Sequence, residues 1–454
     1  MDRIDISKLV DEARFNSFHV KVLIWCFVIL ILDGYDLAVA GAALPAIMKS
    51  MGVEATAVGF MASSALFGMM FGAIILGALS DRIGRRLALS ICVLLFSVFT
   101  AAAGCTNDPI VFSVMRFLAG LGIGGAIPNV TAHMTEYAPR KFRGVLVTVT
   151  ACGYAVGSLL AALLGKQLIE AYGWQYMFIA AGAPVVLIPF IMMRMPESLQ
   201  YLARRRDNVR LRQMAVLIQP RLRLAANQAF LLPEAGAVKA GSIRDLFRDG
   251  RAFSTVMFAA ASATGLFTLY AISTWLVKLM ALAGYSLGSA LNFLLAFNLG
   301  GIVGAIGGGW LADRFNIKWV LCVSYALSAV FLFMLGHGVQ PLVLVVAGVG
   351  AFTLGTQILC FAYAGQFYPS AIRSTGVGFA SGVGRFGAIV APITIGALVA
   401  MKLPLEQNFM VIMTFGVLGA VAVAFIDHRA SASTLEAEEA QADVEVAARA
   451  DART

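Results

Sequence analysis

Charged residues are scarce in this chain. They make up 13% of its 454 residues, about half the share found in ordinary soluble proteins. Hydrophobic residues make up 60%. A soluble core cannot bury such an excess of apolar side chains, whereas helices in a lipid bilayer expose them to lipid. The composition therefore excludes an ordinary soluble globular protein and indicates a membrane protein.

Motifs for several kinds of chemistry are also missing. The six cysteines are scattered without a metal-binding spacing, and four histidines form no nucleophile–base or metal arrangement. No Walker phosphate-binding motif is present, so ATP does not drive the protein. We expect no enzymatic activity, no cofactor and no metal. The polar stretch 1–21 precedes an apolar run long enough to remain as a helix, so no cleavable signal peptide is expected.

Long apolar runs dominate what is present. A bilayer core of about 30 Å requires about 20 apolar residues in a helix. Twelve segments meet this requirement, in two groups of six. The predicted spans are residues 22–44, 57–79, 87–105, 109–133, 144–166, 174–194, 254–281, 286–311, 318–337, 341–365, 374–401 and 408–427. The sequence therefore predicts an all-α polytopic membrane protein with twelve transmembrane helices.

The polar segments divide the chain further. We expect an N-terminal segment, a first six-helix bundle, a central loop, a second six-helix bundle and a tail, at residues 1–21, 22–194, 195–251, 252–427 and 428–454. The central loop is partly helical in pattern from Leu199 to Leu217, which favours short amphipathic helices on the membrane surface. The tail is rich in alanine and glutamate, which is typical of a disordered end.

The distribution of lysine and arginine predicts the topology. Only Lys49, Lys166, Lys278 and Lys402 lie in the loops on one side, whereas almost all the others lie in the alternate loops, the central loop and the termini. Positive charge accumulates on the cytoplasmic side of membrane proteins. The pattern predicts that both termini are cytoplasmic. It also explains the net charge of +9 without nucleic-acid binding.

The two groups of six spans repeat one another. The segment Gly77-Ala-Leu-Ser-Asp81-Arg82 is similar to Gly309-Trp-Leu-Ala-Asp313-Arg314, and Pro139 and Arg143 correspond to Pro369 and Arg373, at an offset of about 230 residues. Parallel repeats of six helices are an architecture of secondary transporters.

These residues also resemble a known family. The stretch Gly77–Arg86 (GALSDRIGRR) resembles the signature loop between helices two and three of the major facilitator superfamily, with a weaker copy at Gly309–Lys318. Arg116 with the glycines that follow it resembles the fourth-helix motif of proton-coupled members. Asp33-Gly34-Tyr35-Asp36 and Gly384-Arg385-Phe386-Gly387 resemble the aromatic acid:proton symporter family, of the benzoate and 4-hydroxybenzoate type. The resemblance implies the major facilitator fold.

Four ionisable residues lie deep within the predicted spans, where they are costly and usually functional. A rise of 1.5 Å per residue places Asp33, Asp36 and Arg116 at similar depths, with both acids on one face of the first helix. Two close carboxylates resist joint ionisation, while an arginine favours the charged form. Asp33 or Asp36 is the predicted proton carrier, with Arg116 as partner. The alternatives are a fixed ion pair between helices and a direct substrate contact.

The predicted carboxylate anchor is Arg385, which lies near the midplane, because a guanidinium fork matches a carboxylate. Its alternative is a packing role, and Arg116 is the alternative anchor. An aromatic ring needs apolar walls and a few polar partners. The predicted substrate contacts are Tyr35, Asn298, Gln357, Tyr270, Tyr363 and Phe267, each of which could instead pack in the core.

A third group of residues is predicted to act as a conformational latch, as the resemblance implies. Glycines allow a tight turn between spans two and three, and the charges around it pair with neighbouring helix ends. The predicted latch residues are Gly77, Asp81, Arg82, Gly84, Arg85, Arg86, Glu136 and Arg143, with Asp313 and Arg314 in the second half. Asn316 and Lys318 make the second copy less complete.

The predicted function is uptake of a small aromatic carboxylate together with protons across a bacterial inner membrane, by a chain acting as a monomer in the lipid bilayer. The alternatives are a different organic acid or a sugar carried by the same fold, and a membrane sensor. A sensor would require a dedicated cytoplasmic output domain, and no independent soluble domain is expected in the central loop.

Overall fold

The computed structural model describes residues 4–220, 230–231, 243–248, 250–369, 372–428 and 431. Within them, twelve helices are long and apolar enough to cross a bilayer. We number these membrane helices in chain order. They are Ser17–Met51, Ala55–Ile83, Arg85–Gly104, Pro109–Tyr137, Arg143–Tyr172, Gln175–Arg194, Ala252–Leu282, Leu287–Arg314, Ile317–Gly336, Leu342–Phe367, Arg373–Ala400 and Leu405–Ala424. The predicted all-α fold with twelve spans is confirmed.

Local sequence signals set several helix ends. Asn16 caps the first helix by accepting hydrogen bonds from the backbone of Phe18 and His19, and Gly52 ends it at a positive φ of 63°. Asp108 caps the fourth helix, with Pro109 at its first position. Because such capping residues satisfy orphan backbone groups, the junctions are short and well defined.

The sixth membrane helix is not a regular α-helix. It consists of an α-helix at Gln175–Ala180, a 3₁₀ segment at Ala183–Leu187 and a second α-helix at Ile188–Arg194. Pro184 and Pro189 lie in the second and third pieces. A proline removes one backbone donor and clashes with the preceding turn, so two prolines five residues apart explain the irregular stretch.

Contacts between glycine and backbone hold the helices of the first half together. A side chain at Gly68 or Gly124 would overlap backbone of the facing helix, which packs the second and fourth helices closely. A Cβ at Gly34 would overlap the backbone of Tyr154, and one at Gly157 would overlap the carbonyl oxygen of Ile31. The first and fifth helices therefore cross at a distance that only glycine allows.

The chain divides into two compact units. The first contains residues 1–236, 272–298 and 392–403, and the second contains residues 237–271, 299–391 and 404–454. Thus parts of the seventh, eighth and eleventh helices belong to the first unit. There the indole nitrogen of Trp275 donates to the carbonyl oxygen of Pro392 at 3.0 Å, and Gly59 lies against the same carbonyl.

The start of the central loop is helical, as its pattern predicts. Short helices at Leu199–Arg204 and Asn208–Ile218 follow the sixth membrane helix. A two-residue parallel pairing joins Ile4–Asp5 to Phe230–Leu231. Most of the tail from residue 428 lies outside the described residues, so its predicted disorder is untested.

Candidate functional site

The first helix and the fourth helix meet in a buried ion pair. The Arg116 guanidinium donates to Asp36 Oδ1 at 2.6 Å, and each side chain is 1% exposed. The same guanidinium donates to the main-chain oxygen of Asp36 at 3.3 Å. Asp36 Oδ2 has no hydrogen-bond partner among the described residues. The similar depths predicted for Asp36 and Arg116 thus correspond to a direct contact.

The other members of the Asp33-Gly34-Tyr35-Asp36 motif are also buried. The Asp33 side chain is fully buried. Gly34 provides the close approach to the fifth helix, and the Tyr35 hydroxyl donates to the carbonyl oxygen of Met177 in the sixth at 3.0 Å. The motif therefore combines two acids with two residues that fix the first helix against its neighbours.

The structure adds two neighbours of the ion pair that the sequence analysis missed. Thr100 of the third helix accepts a hydrogen bond from Arg116 at 2.8 Å and is fully buried. The Arg116 guanidinium lies 5.7 Å from the ring centroid of Phe178. Threonine and phenylalanine are ordinary residues of membrane helices, so neither position carried a signal in the sequence.

Arg385 differs from Arg116 in that its guanidinium has no counter-charge among the described residues. It lies near the middle of the eleventh helix and is half-buried. Within the part of the chain that the structure describes, its guanidinium makes no hydrogen bond, ion pair or ring contact. The flanking residues Gly384 and Gly387 lie against Ser262 and Ala263 of the seventh helix. These close contacts fix the backbone on both sides of the arginine.

Gln357 of the tenth helix also has a buried polar atom without a hydrogen-bond partner among the described residues. Its amide nitrogen donates to Ser262 Oγ at 3.4 Å, which is a weak hydrogen bond. Its Oε1 atom is buried without a partner among the described residues. Because Ser262 also contacts Gly384, Gln357 lies in the same part of the second unit as the backbone next to Arg385.

The other predicted substrate contacts are buried, and most of them stack on another ring or form a hydrogen bond in this structure. Phe267 is 1% exposed and stacks on Phe415 with a centroid distance of 3.6 Å, which leaves its ring no free face in this structure. Tyr363 is fully buried in a hydrophobic cluster, and its hydroxyl lies 3.0 Å from Nδ1 of His428. Asn298 donates to Leu294 of its own helix, and Tyr270 is 9% exposed.

The predicted latch of the first half is a connected network. Arg85 forms an ion pair with Glu136 at 2.8 Å, and Asp81 lies 4.0 Å from Arg85. Glu136 also accepts hydrogen bonds from the Ser198 hydroxyl at 2.7 Å and from the Leu199 backbone at 3.1 Å. The network therefore includes the start of the central loop, which was not among the predicted latch residues.

Glu197 closes the turn between the second and third helices. Its carboxylate accepts from the backbone nitrogen of Arg86 at 3.1 Å and lies 3.8 Å from the Arg86 guanidinium. Gly84 has a φ of 93°, and a Cβ there would lie 2.9 Å from the carboxylate. A carboxylate at a helix N-terminus is favourable, so Glu197 caps the third helix. Tyr137 adds a hydrogen bond to the carbonyl oxygen of Glu197.

Other predicted latch residues lie at the edge of this network or outside it. Arg143 pairs with Asp11, the last residue of a short helix at Ile6–Asp11 that precedes the first membrane helix. Arg82 is exposed, and a Cβ atom added at Gly77 would meet no atom within 4 Å. In the second half, Arg314 lies 4.1 Å from the ring centroid of Trp310, while Asp313 has no hydrogen bond or ion pair with any described residue. The second copy therefore lacks the ion pairs of the first.

Comparison with known proteins gives the family. A profile of the Major Facilitator Superfamily matches residues 26–312 and 289–452. The chain belongs to the major facilitator superfamily. It is accordingly a transporter rather than an enzyme, and a multi-pass membrane protein. The xylose transporter of Escherichia coli shares the fold, with a TM-score of 0.70 over 91% of this chain and 98% of that one, at 18% sequence identity.

Curated relatives narrow the branch. The benzoate transport protein of Acinetobacter baylyi is 40% identical over 94% of this chain and 93% of its own length. The gentisate transporter of Corynebacterium glutamicum is 36% identical over 88% and 86%. The 4-hydroxybenzoate transporter of Pseudomonas aeruginosa is 34% identical over 92% and 94%. The predicted resemblance to the aromatic acid branch is confirmed.

Proposed function

We propose that this transporter takes up a small aromatic carboxylate, such as benzoate or a hydroxybenzoate, together with protons. It does so by alternating access across the bacterial inner membrane, with its termini in the cytoplasm. The relatives named above transport benzoate, 4-hydroxybenzoate and gentisate according to their names, and all three substrates are benzoates. The lysine and arginine distribution supports the orientation.

The observation that carries the substrate proposal is the uncompensated charge of Arg385. A charged side chain in the membrane interior is costly unless it is paired. Among the described residues Arg385 has no partner, whereas Arg116 is held by Asp36 and Thr100. We therefore assign the substrate carboxylate to Arg385 rather than to Arg116. Two parallel N–H···O bonds would bind the anion and neutralise the arginine.

The ring substituents are assigned to Gln357. Its buried Oε1 has no donor in the described structure, and a buried acceptor without a partner is unfavourable. A hydroxyl group on the ring would supply that donor. This assignment favours a hydroxylated benzoate over benzoate, and it places the two polar contacts on the tenth and eleventh helices.

Proton coupling is assigned to the pair of Asp36 and Arg116, with Asp33 as the second acid. Protonation of Asp36 removes the charge attraction that joins the first helix to the fourth, while the substrate site in the second unit keeps its own charge. Proton uptake is also energetically required for accumulation of an anion. Moving one negative charge inward against a potential of 100 mV costs about 2.3 kcal/mol, which one proton cancels.

The decisive experiment is uptake into proteoliposomes under an imposed pH gradient. Labelled benzoate, 4-hydroxybenzoate, gentisate and xylose are offered separately. We expect gradient-driven uptake of the acids and none of xylose, with collapse of uptake by a protonophore. Transport of xylose without the acids would refute the substrate class. Acid uptake that is insensitive to the pH gradient would refute proton coupling alone.

A further inference from the structure

A cavity of about 720 Å³ lies in the first unit, away from the ion pair of Asp36 and Arg116. Its walls come from the start of the first membrane helix, the end of the sixth and the short helix Asn208–Ile218. Ser17 and Arg194, which line it, are the end residues of the two membrane helices. The cavity therefore lies at a boundary between the apolar bundle and the aqueous phase.

Basic side chains surround this cavity. Lys21, Arg86, Arg194 and Arg210 line it, and Glu197 is the one acidic residue among them. The Glu197 carboxylate is already bound by the Arg86 and Ser198 backbone nitrogens. Four cations around one engaged carboxylate leave an excess of positive charge.

Two of these cations have no counter-charge among the residues that the structure describes. Arg86 lies 3.8 Å from Glu197, and Arg210 lies 3.5 Å from Asp207. Lys21 and Arg194, in contrast, form no ion pair or hydrogen bond with any residue that the structure describes, and both are exposed. An anionic ligand would find two free partners at the ends of the first and sixth helices.

Much of the remaining wall is apolar, beside the polar side chains of Asn16, Ser17 and Gln213. Phe18, Met193, Met214 and Leu217 line the same cavity. Met193 is 75% exposed and Leu217 is 45% exposed, so the apolar surface continues beyond the cavity. A small soluble anion would use only the cations, whereas a ligand with an anionic end and a hydrocarbon end would use both surfaces.

We propose that this cavity binds an anionic phospholipid, with the headgroup phosphate at Lys21 and Arg194 and an acyl chain along Met193 and Leu217. Basic pockets beside membrane helices bind such headgroups, because each lysine or arginine near the surface adds to the attraction of an anionic lipid. The lipid bridges the first and sixth helices to the short helix of the central loop.

Native mass spectrometry of the full chain in detergent tests the proposal, with phosphatidylglycerol and phosphatidylcholine added in separate titrations. The test variant is Lys21→Gln/Arg194→Gln. The control variant, Arg140→Gln/Arg206→Gln, removes the same charge from exposed positions that do not line the cavity. Gel filtration and thermal unfolding establish that both variants are folded. A third titration adds inorganic phosphate to the complex with phosphatidylglycerol.

We expect phosphatidylglycerol to bind the native chain and the control variant equally, and phosphatidylcholine to bind much more weakly. The test variant should bind phosphatidylglycerol about 25-fold more weakly, from roughly fivefold for each basic group. Equal binding of both lipids, or equal affinity of both variants, would overturn the proposal. Full displacement of the lipid by millimolar phosphate would instead indicate a site for small anions and would also overturn it.

Discussion

Arg116 holds Asp36 through two different atoms, the carboxylate Oδ1 at 2.6 Å and the main-chain oxygen at 3.3 Å. The second contact does not depend on the charge of the carboxylate. Protonation of Asp36 would thus weaken the pair electrostatically, while the hydrogen bonds to the main chain and to Thr100 would keep Arg116 in place. An ion pair of this kind can change its charge without losing its geometry.

The first prediction concerns coupling. Asp36→Asn should abolish uptake driven by a pH gradient while it preserves exchange of labelled for unlabelled substrate, since exchange requires no net proton movement. The asparagine oxygen still accepts from Arg116, so the fold should survive. Both activities are measured in the same proteoliposomes.

The same measurements on Asp33→Asn test the second acid. If Asp33→Asn also loses driven uptake but keeps exchange, Asp33 shares the coupling role. Loss of driven uptake and exchange together in Asp36→Asn would mean that the pair is structural. Driven uptake that continues in both variants would remove the first-helix acids from the coupling mechanism.

The second prediction concerns Thr100, which positions Arg116. Thr100→Val has nearly the same shape but cannot accept the hydrogen bond, whereas Thr100→Ser can. We expect the valine variant to show about tenfold slower uptake and an altered pH profile, as loss of one hydrogen bond to a charged group implies. The serine variant should restore both. An unchanged pH profile in the valine variant would limit Thr100 to packing.

The third prediction concerns Arg385. Substitution by glutamine should weaken benzoate binding by about 10- to 100-fold, because a hydrogen-bonded charge partner of the carboxylate is lost. Arg385→Lys should recover only part of the affinity, since an ammonium group lacks the planar fork. Equilibrium binding to the purified protein measures both. Unchanged affinity in the glutamine variant would rule out the anchor role.

The fourth prediction concerns the crossing of the first and fifth helices. Gly157→Ala would place a methyl group against the carbonyl oxygen of Ile31 and should lower the free energy of unfolding by about 1–3 kcal/mol. Gly144→Ala in the same helix meets no atom within 4 Å and should be neutral or slightly stabilising. Thermal unfolding in detergent compares them, and equal transition temperatures would contradict the close contact.

The fifth prediction separates the two latch copies. Glu136→Gln removes the close ion partner of Arg85, leaving only Asp81 at 4.0 Å, and should destabilise the protein on the order of 3 kcal/mol, because both side chains of the lost pair are largely buried. Asp313→Asn in the second half should change stability by about 0.5 kcal/mol or less, since exposed residues contribute little. Glu136→Gln should likewise slow uptake more than Asp313→Asn does. Equal effects of the two substitutions would contradict the asymmetry.

Much of this fold could be predicted from the sequence because the bilayer constrains the length of each span. The spans could be located because hydrocarbon thickness sets helix length, and the pairing of Asp36 with Arg116 was accessible because depth follows from helical rise. Departures from regular α-helix, such as the 3₁₀ segment of the sixth membrane helix, could not be predicted in the same way. Pro184 and Pro189 could have signalled the 3₁₀ segment, but proline is common in membrane helices that stay regular.

Side-chain orientation within the spans was the harder problem. The sequence predicts substrate contacts at Phe267 and Tyr363; in the structure Phe267 stacks on Phe415 and Tyr363 lies in a hydrophobic cluster, which the sequence does not indicate. Helices that are apolar on every side do not indicate which face meets lipid, core or substrate. Thr100 was missed for a related reason, because its role depends on an arginine in another helix.

The contacts of Glu197 determine where this transporter could be divided into fragments. Its carboxylate completes the start of the third helix, and Asn16 holds the short helix Asn208–Ile218 through the carbonyl oxygens of Leu217 and Ile218. A gene cut directly after Arg194 would remove from the first fragment the carboxylate that caps its third helix. For halves produced from separate genes, the chain should therefore be divided after Pro220, so that the whole stretch up to that residue stays on the N-terminal fragment.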